Sequence, residues 1–281
     1  MFLFLTSVFV FSSCSSDKDF SLEKKSNHSY KEKSIDLDFI GERHNRGLEY
    51  IYNEITEKGI SFDIDSYSES YDKINTITEN YFEYSNIDDT KEVYFFNKKD
   101  IDVFLNEKIN FGVDAKHILK QYNLLFDNDD ELDVTYRKMS NLNDELEFLY
   151  SNSLLFDKEY LILKSYMVTG LYSLQYWGQN IDNWILNIDR NIERKTNRNQ
   201  IKSWDWNRFK RAVKNMAKAD ARGAGVGLVG GFVFGSAADP AGTVLGAAGG
   251  AVAMGMNGSA VAGVVELLMD ILCLLNSLKI L

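Results

Sequence analysis

From Asp38 onward apolar side chains return every three or four residues. Ile40, His44, Leu48, Ile51, Tyr52 and Ile55 share one face of a helix that Gly59 closes. Tyr67, Tyr71, Ile74, Ile77, Tyr81 and Phe82 form a second stripe, and the same period predicts helices at 98–108, 114–126, 131–151, 156–188 and 200–222. No stretch alternates apolar and polar positions with period two between turn signals. The predicted fold is therefore all-α, a helical bundle with a C-terminal glycine-zipper helical hairpin. The aromatic stripes read as core, because buried rings at helical spacing are what a bundle interior takes.

The pattern changes at residue 223. Of the 19 glycines in 281 residues, thirteen fall between Gly223 and Gly263, and so does the single proline, Pro240. Gly223, Gly227, Gly231 and Gly235 recur every fourth position, and after Asp239-Pro240 the spacing returns at Gly242, Gly246 and Gly250. On helices these glycines line one side, so the segment 223–256 is expected to fold into two arms, 223–238 and 241–256, turned at Asp239 and Pro240. Small-xxx-small faces let helix backbones approach closely, as they do in membrane helix pairs. Residues 259–281 form a last amphipathic helix, with Glu266, Asp270, Cys273 and Ser277 as its narrow polar stripe.

Charge follows the same division. Residues 1–189 carry 19 Lys/Arg against 35 Asp/Glu, residues 190–222 carry 11 against 3, and the remainder carries 1 against 3. An acidic body of residues 37–222 thus ends in a basic, aromatic collar, 190–222, and leads into a nearly uncharged tail. The acidic body argues against nucleic acid as a partner. Trp204, Trp206, Arg208, Arg211, Lys214, Lys218 and Arg222 are the collar residues suited to a membrane interface, with rings for the headgroup level and cations for lipid phosphate. A basic helix docked on the acidic body is the other reading of the same residues.

Two readings of the tail also stand. Glycine costs about 1 kcal/mol per helical position relative to alanine in water, so a soluble hairpin must recover on the order of 10 kcal/mol through packing. A bilayer enforces helix and favours the nearly uncharged tail. The expected role is membrane association or insertion, with oligomerisation through the glycine faces. The alternative is a structural or interaction protein in which the hairpin is buried in a soluble bundle or docks a protein partner. Length counts against simple spanning, since a sixteen-residue arm reaches only about 24 Å and the hydrocarbon layer is about 30 Å thick.

The first thirteen residues, MFLFLTSVFVFSS, are an apolar run ending in two small residues before Cys14, which is the form of a secretory signal. Here the chain resembles bacterial lipoproteins, whose signal ends at the cysteine that receives the lipid. The resemblance implies residues 1–13 as signal peptide, Cys14 as the lipid attachment site, and export to the bacterial cell envelope, at the outer membrane or cell surface. Residues 14–36, rich in Ser, Lys, Asp and Glu, then serve as a flexible polar tether. An exported N-terminus also places the collar outside the producing cell, the wrong side for a conventional inner-membrane anchor. The segment IGERHNRGLEY at 40–50, SLQYW at 173–177 and the glycine tail together resemble uncharacterised secreted or lipoprotein-type bacterial proteins. Those proteins pair an HNxxL helix with a C-terminal glycine-rich region, and the likeness implies an envelope protein with no established activity. It makes His44 and Asn45 the polar pair to follow, with an interhelical hydrogen-bond pair as their simplest role.

Catalytic chemistry is not indicated. The three histidines are dispersed, no HExxH or Cys/His cluster supplies zinc ligands, and no cofactor or metal is expected. The acidic run Asp127–Glu131 opens like a calcium loop but has Leu132 and Lys138 where glycine and glutamate are required. GVGLVG at 225–230 matches a dinucleotide fingerprint in letters only, since a basic helix and not a strand precedes it. The sequence thus predicts a non-enzymatic protein whose partner is membrane lipid.

Overall fold

A computed structural model describes residues 37–62, 67–84, 111–191 and 206–235, together with positions 251, 252, 255, 260 and 263 of the tail. Among these residues there are six helices and no strands, an all-α bundle. The helices are α1 (Asp38–Lys58), α2 (Tyr67–Tyr84), α3 (Val113–Asp127), α4 (Leu132–Ser151), α5 (Asp157–Asn191) and α6 (Trp206–Gly235). The expected signal and tether, the helix expected at 98–108, the turn at Asp239-Pro240, and most of the second glycine arm and of the helix expected at 259–281 lie outside the described residues.

Each helix buries the stripe that its sequence sets out. On α1 the buried positions are Ile40, Gly41, His44, Gly47, Leu48, Ile51 and Ile55, and Gly59 ends the helix in the left-handed region at φ 57°, its N–H donating to the Ile55 carbonyl. A side chain is strained in that conformation, which accounts for glycine there. Ala115, Ile118, Tyr122 and Phe126 do the same on α3, and Thr135, Met139, Leu142 and Leu146 on α4.

Helix α5 is the axis. It touches α1, α3, α4 and α6, and along its 35 residues it buries Tyr160, Leu163, Tyr166, Met167, Leu174, Trp177, Ile181, Trp184 and Ile188. Between Glu159 and Gly170 nearly every position is buried, so this part of the helix is enclosed by neighbours, whereas Gln175, Gln179, Asp182 and Asn183 farther along are exposed. Helix α1 runs parallel to it, since Asn45 bonds the Tyr172 carbonyl near one end and Asn187 bonds Thr56 near the other. Helix α4 runs antiparallel, with Tyr160 on Glu147 and Lys164 on Asn143.

Helix α6 departs from expectation in one respect. The sequence divides body from tail at 222/223, but the helix continues without a break through Gly223, Gly227 and Gly231 to Gly235. The collar from Trp206 onward and the first glycine arm as far as Gly235 are one rod. It lies antiparallel to α5, with Asp220 opposite Ser173 and Gly225 opposite Tyr166. Ala217, Ala221, Ala224 and Gly225 give it a face of small residues, so its backbone comes close to the α5 side chains.

Candidate functional site

The polar centre of the molecule lies where α1, α5 and α6 meet. His44 and Asp220 are both fully enclosed, and His44 Nε2 stands 3.2 Å from Asp220 Oδ2. Ser173 donates its hydroxyl hydrogen to the same oxygen. On the other side of the imidazole, Nδ1 is 2.9 Å from Asn45 Oδ1, and the Asn45 amide nitrogen donates to the Tyr172 carbonyl at 3.1 Å. That second bond orients the Asn45 amide with its oxygen toward the ring, which assigns the Nδ1 hydrogen as the donor. One carboxylate thus sits where three helices meet, bonded by Ser173 of α5 and facing the His44 ring of α1. The histidine marked by the sequence thus faces a neighbouring helix, and nothing in the sequence pattern marks its counterpart, Asp220.

The arrangement cannot run acyl transfer. A serine nucleophile needs the imidazole between hydroxyl and carboxylate so that the ring can take its proton. Here the carboxylate lies between the other two groups, and Ser173, His44 and Asp220 are all 0% exposed. Buried polar groups of this kind are costly alone and specify geometry when they are joined. Among the described residues no group of three His, Cys, Asp or Glu is placed to hold a metal.

The tail closes over this cluster. A Cβ at Gly255 would stand 3.1 Å from the Asp220 carbonyl oxygen and 3.4 Å from His44 Cδ2. At Gly263 it would meet Trp177 Cη2 at 2.8 Å, and at Gly225 it would enter the Tyr166 ring. Ala251, Val252 and Ala260 are fully buried as well. Gly225, Gly255 and Gly263, where these close approaches occur, are outside the four-residue series that the sequence singled out. Gly223 and Gly227 are buried in α6, Gly231 and Gly235 belong to its last turns, and Gly242, Gly246 and Gly250 lie outside the described residues.

The collar is docked on the acidic turn between α3 and α4. Lys210 Nζ is 2.7 Å from Glu131 Oε1, and the Trp206 indole donates to the other oxygen at 2.9 Å. Lys214 donates to the Asn128 and Asp130 carbonyls, Lys218 pairs with Asp127, and Arg222 reaches Asn123. The run Asp127–Glu131 that resembles half a calcium loop is therefore a receptor for lysines. Hydrogen bonds from Lys210 and Trp206 hold the Glu131 carboxyl below the usual carboxylate range, while burial pushes the Lys214 ammonium down. Of the other collar residues, Arg211 is exposed, Arg208 is half-buried, Trp206 is half-exposed and stacks on Phe209, and Trp204 lies outside the described residues.

A second buried carboxylate fixes the opposite end of the bundle. Glu159 accepts the Gly112 N–H at 2.6 Å and the Phe156 N–H at 3.0 Å, so one side chain caps the starts of both α3 and α5. Tyr160, in the first turn of α5, stacks on Tyr150 with 3.8 Å between centroids. Burial, with Glu147 beside it, raises its hydroxyl far above the ordinary tyrosine value.

No protein-family model, curated protein or solved structure matches this chain.

Proposed function

We propose that the chain is an exported, lipid-tethered envelope protein that acts by binding rather than by catalysis, and that its glycine-rich tail is an internal packing element. The observation that carries this reading is the seating of Gly225, Gly255 and Gly263 against Tyr166, the His44–Asp220 pair and Trp177. Glycine in a helix is unfavourable by about 1 kcal/mol relative to alanine, and close approach to enclosed aromatic rings is a packing reason for accepting it. Support also comes from the collar, whose lysines are engaged by the Asp127–Glu131 turn. Among the described residues no helix is long and apolar enough to cross a membrane. Cys14 then supplies the attachment, by the lipid its signal-like context implies.

Expression in a bacterial host with labelled fatty acid tests the tether, and alkaline carbonate extraction of the membranes tests the tail. The intact chain should incorporate label and stay with the membrane, whereas the Cys14→Ala chain should carry no label and be extracted completely. Carbonate-resistant Cys14→Ala protein that becomes extractable when residues 236–281 are deleted would show the tail inserted in lipid, which is the rival reading. Absence of label on the intact chain would remove the tether.

A further inference from the structure

The Asp220 carboxylate is enclosed where α1, α5 and α6 meet, and the hydrogen bonds around it are too few for an isolated negative charge. Among the described residues Ser173 is the donor to Oδ2, and Oδ1 has no hydrogen-bond partner. A carboxylate taken out of water with a single hydroxyl to satisfy it is strongly disfavoured unless a positive charge stands beside it. The described charged and titratable groups about it narrow the choice. Arg222, two residues along α6, extends to Asn123 of α3. The hydroxyls of Tyr122 on α3 and Tyr176 on α5 feel the Asp220 charge, and burial pushes both above the ordinary tyrosine value, so they stay neutral. The five described positions of the tail carry no titratable side chain. On α1, His44 stands 3.2 Å away.

The setting of the imidazole decides where its hydrogens lie. Asn45 turns its amide oxygen to Nδ1, so Nδ1 carries a hydrogen. In a neutral ring Nε2 is then a bare acceptor facing a carboxylate oxygen, and two acceptors at that separation in an enclosed space repel. Moving the proton to Asp220 would call for an O–H···N hydrogen bond along this contact. Nε2 makes no hydrogen bond among the described residues, and Oδ2 already accepts from Ser173. A protonated ring meets both conditions, because attraction between opposite charges depends on their distance and not on hydrogen-bond alignment.

We infer that Asp220 holds His44 as an imidazolium inside the bundle, and that the junction of α1, α6 and the tail is a clasp closed by one proton. The tail belongs to the clasp because Gly255 seats on both partners, against His44 Cδ2 and the Asp220 carbonyl oxygen. In an unfolded chain an aspartate ionises at about pH 3.9 and an imidazole releases its proton at about pH 6.5. Between those values the folded and unfolded chains carry the same protons on this pair, which adds no slope. Above about pH 6.5 the folded chain holds one proton more than the unfolded chain, so the clasp weakens as pH rises.

Urea unfolding of the full chain between pH 6 and pH 8 tests the clasp. The unfolding equilibrium constant, extrapolated to water, should rise by about eightfold from pH 7 to pH 8, as one retained proton requires. In Asp220→Asn the amide keeps the shape of the carboxyl, accepts from Ser173 and can donate to a neutral ring, so this rise should be absent. His117→Gln, which alters an exposed histidine elsewhere, should keep the parent slope. Parallel pH curves for the parent and Asp220→Asn, or a parent constant that does not rise, would overturn the proposal. Should Asp220→Asn fail to fold, nitrogen NMR of the parent chain at pH 8 decides the matter. Hydrogens on both ring nitrogens of His44 are expected, and one bare nitrogen would overturn the assignment.

Discussion

Asp220 is where a single change has the widest consequence. Its carboxylate takes the Ser173 hydroxyl and faces the His44 ring in a space with no access to water. Asp220→Ala takes the carboxylate away from the buried Ser173 hydroxyl and from His44 Nε2, leaving His44 only its contact with Asn45, and should lower unfolding stability by about 2–4 kcal/mol in a denaturant melt. His44→Ala together with Asp220→Ala should cost less than the two single changes added, because the second removes a group the first has orphaned. Strict additivity would mean that the pair does not interact. Glycines make a paired case. Gly225→Ala drives a methyl into the Tyr166 ring and should lose about 1–3 kcal/mol despite its better helix propensity. Gly178→Ala, on the exposed side of α5 with only Leu132 Cδ1 at 4.0 Å, should gain up to about 1 kcal/mol. His44 and Asn45 stood out in the sequence through the likeness of the 40–50 segment to an HNxxL helix, with an interhelical hydrogen-bond pair as their expected role. Their partners were not, because Tyr172 lies 127 residues from Asn45, and only the parallel packing of α1 on α5 brings them together.

At the scale of elements, the docking of α6 on the α3–α4 turn sets a pH dependence. The Glu131 carboxyl titrates below its unfolded value because Lys210 and Trp206 hydrogen-bond the charged form. The stability it contributes is complete above the unfolded pKa of about 4.3, and is lost as pH falls through the lower folded value. Urea midpoints of the native chain should therefore fall more steeply between about pH 5 and pH 3 than those of Glu131→Gln. Parallel curves would remove Glu131 from the account. The helices themselves were well marked. Stripes at three- and four-residue spacing placed α1, α3, α4 and α5 within a few residues of the observed ends, because local burial dominates where one helix face is apolar. The collar's partner was not marked, since a run of lysines and arginines has the same pattern whether it faces lipid phosphate or an acidic turn. The boundary expected at residue 223 followed a change of composition, and composition does not end a helix whose glycines are held by neighbouring side chains.

Across the whole molecule the tail decides the account. An apolar, glycine-rich segment reads alike for a bilayer and for a protein interior, because both exclude water and both reward small faces. The sequence left the two readings open for that reason. Burial of Ala251, Val252, Gly255, Ala260 and Gly263 against α1, α5 and α6 favours the interior. Amide hydrogen exchange across residues 251–263 of the Cys14→Ala chain in plain buffer is the most direct measurement. The account predicts protection comparable to that of the central α5 amides, with no vesicles present and no change when they are added. Rapid exchange in buffer that slows only with vesicles would contradict it and place the tail in lipid.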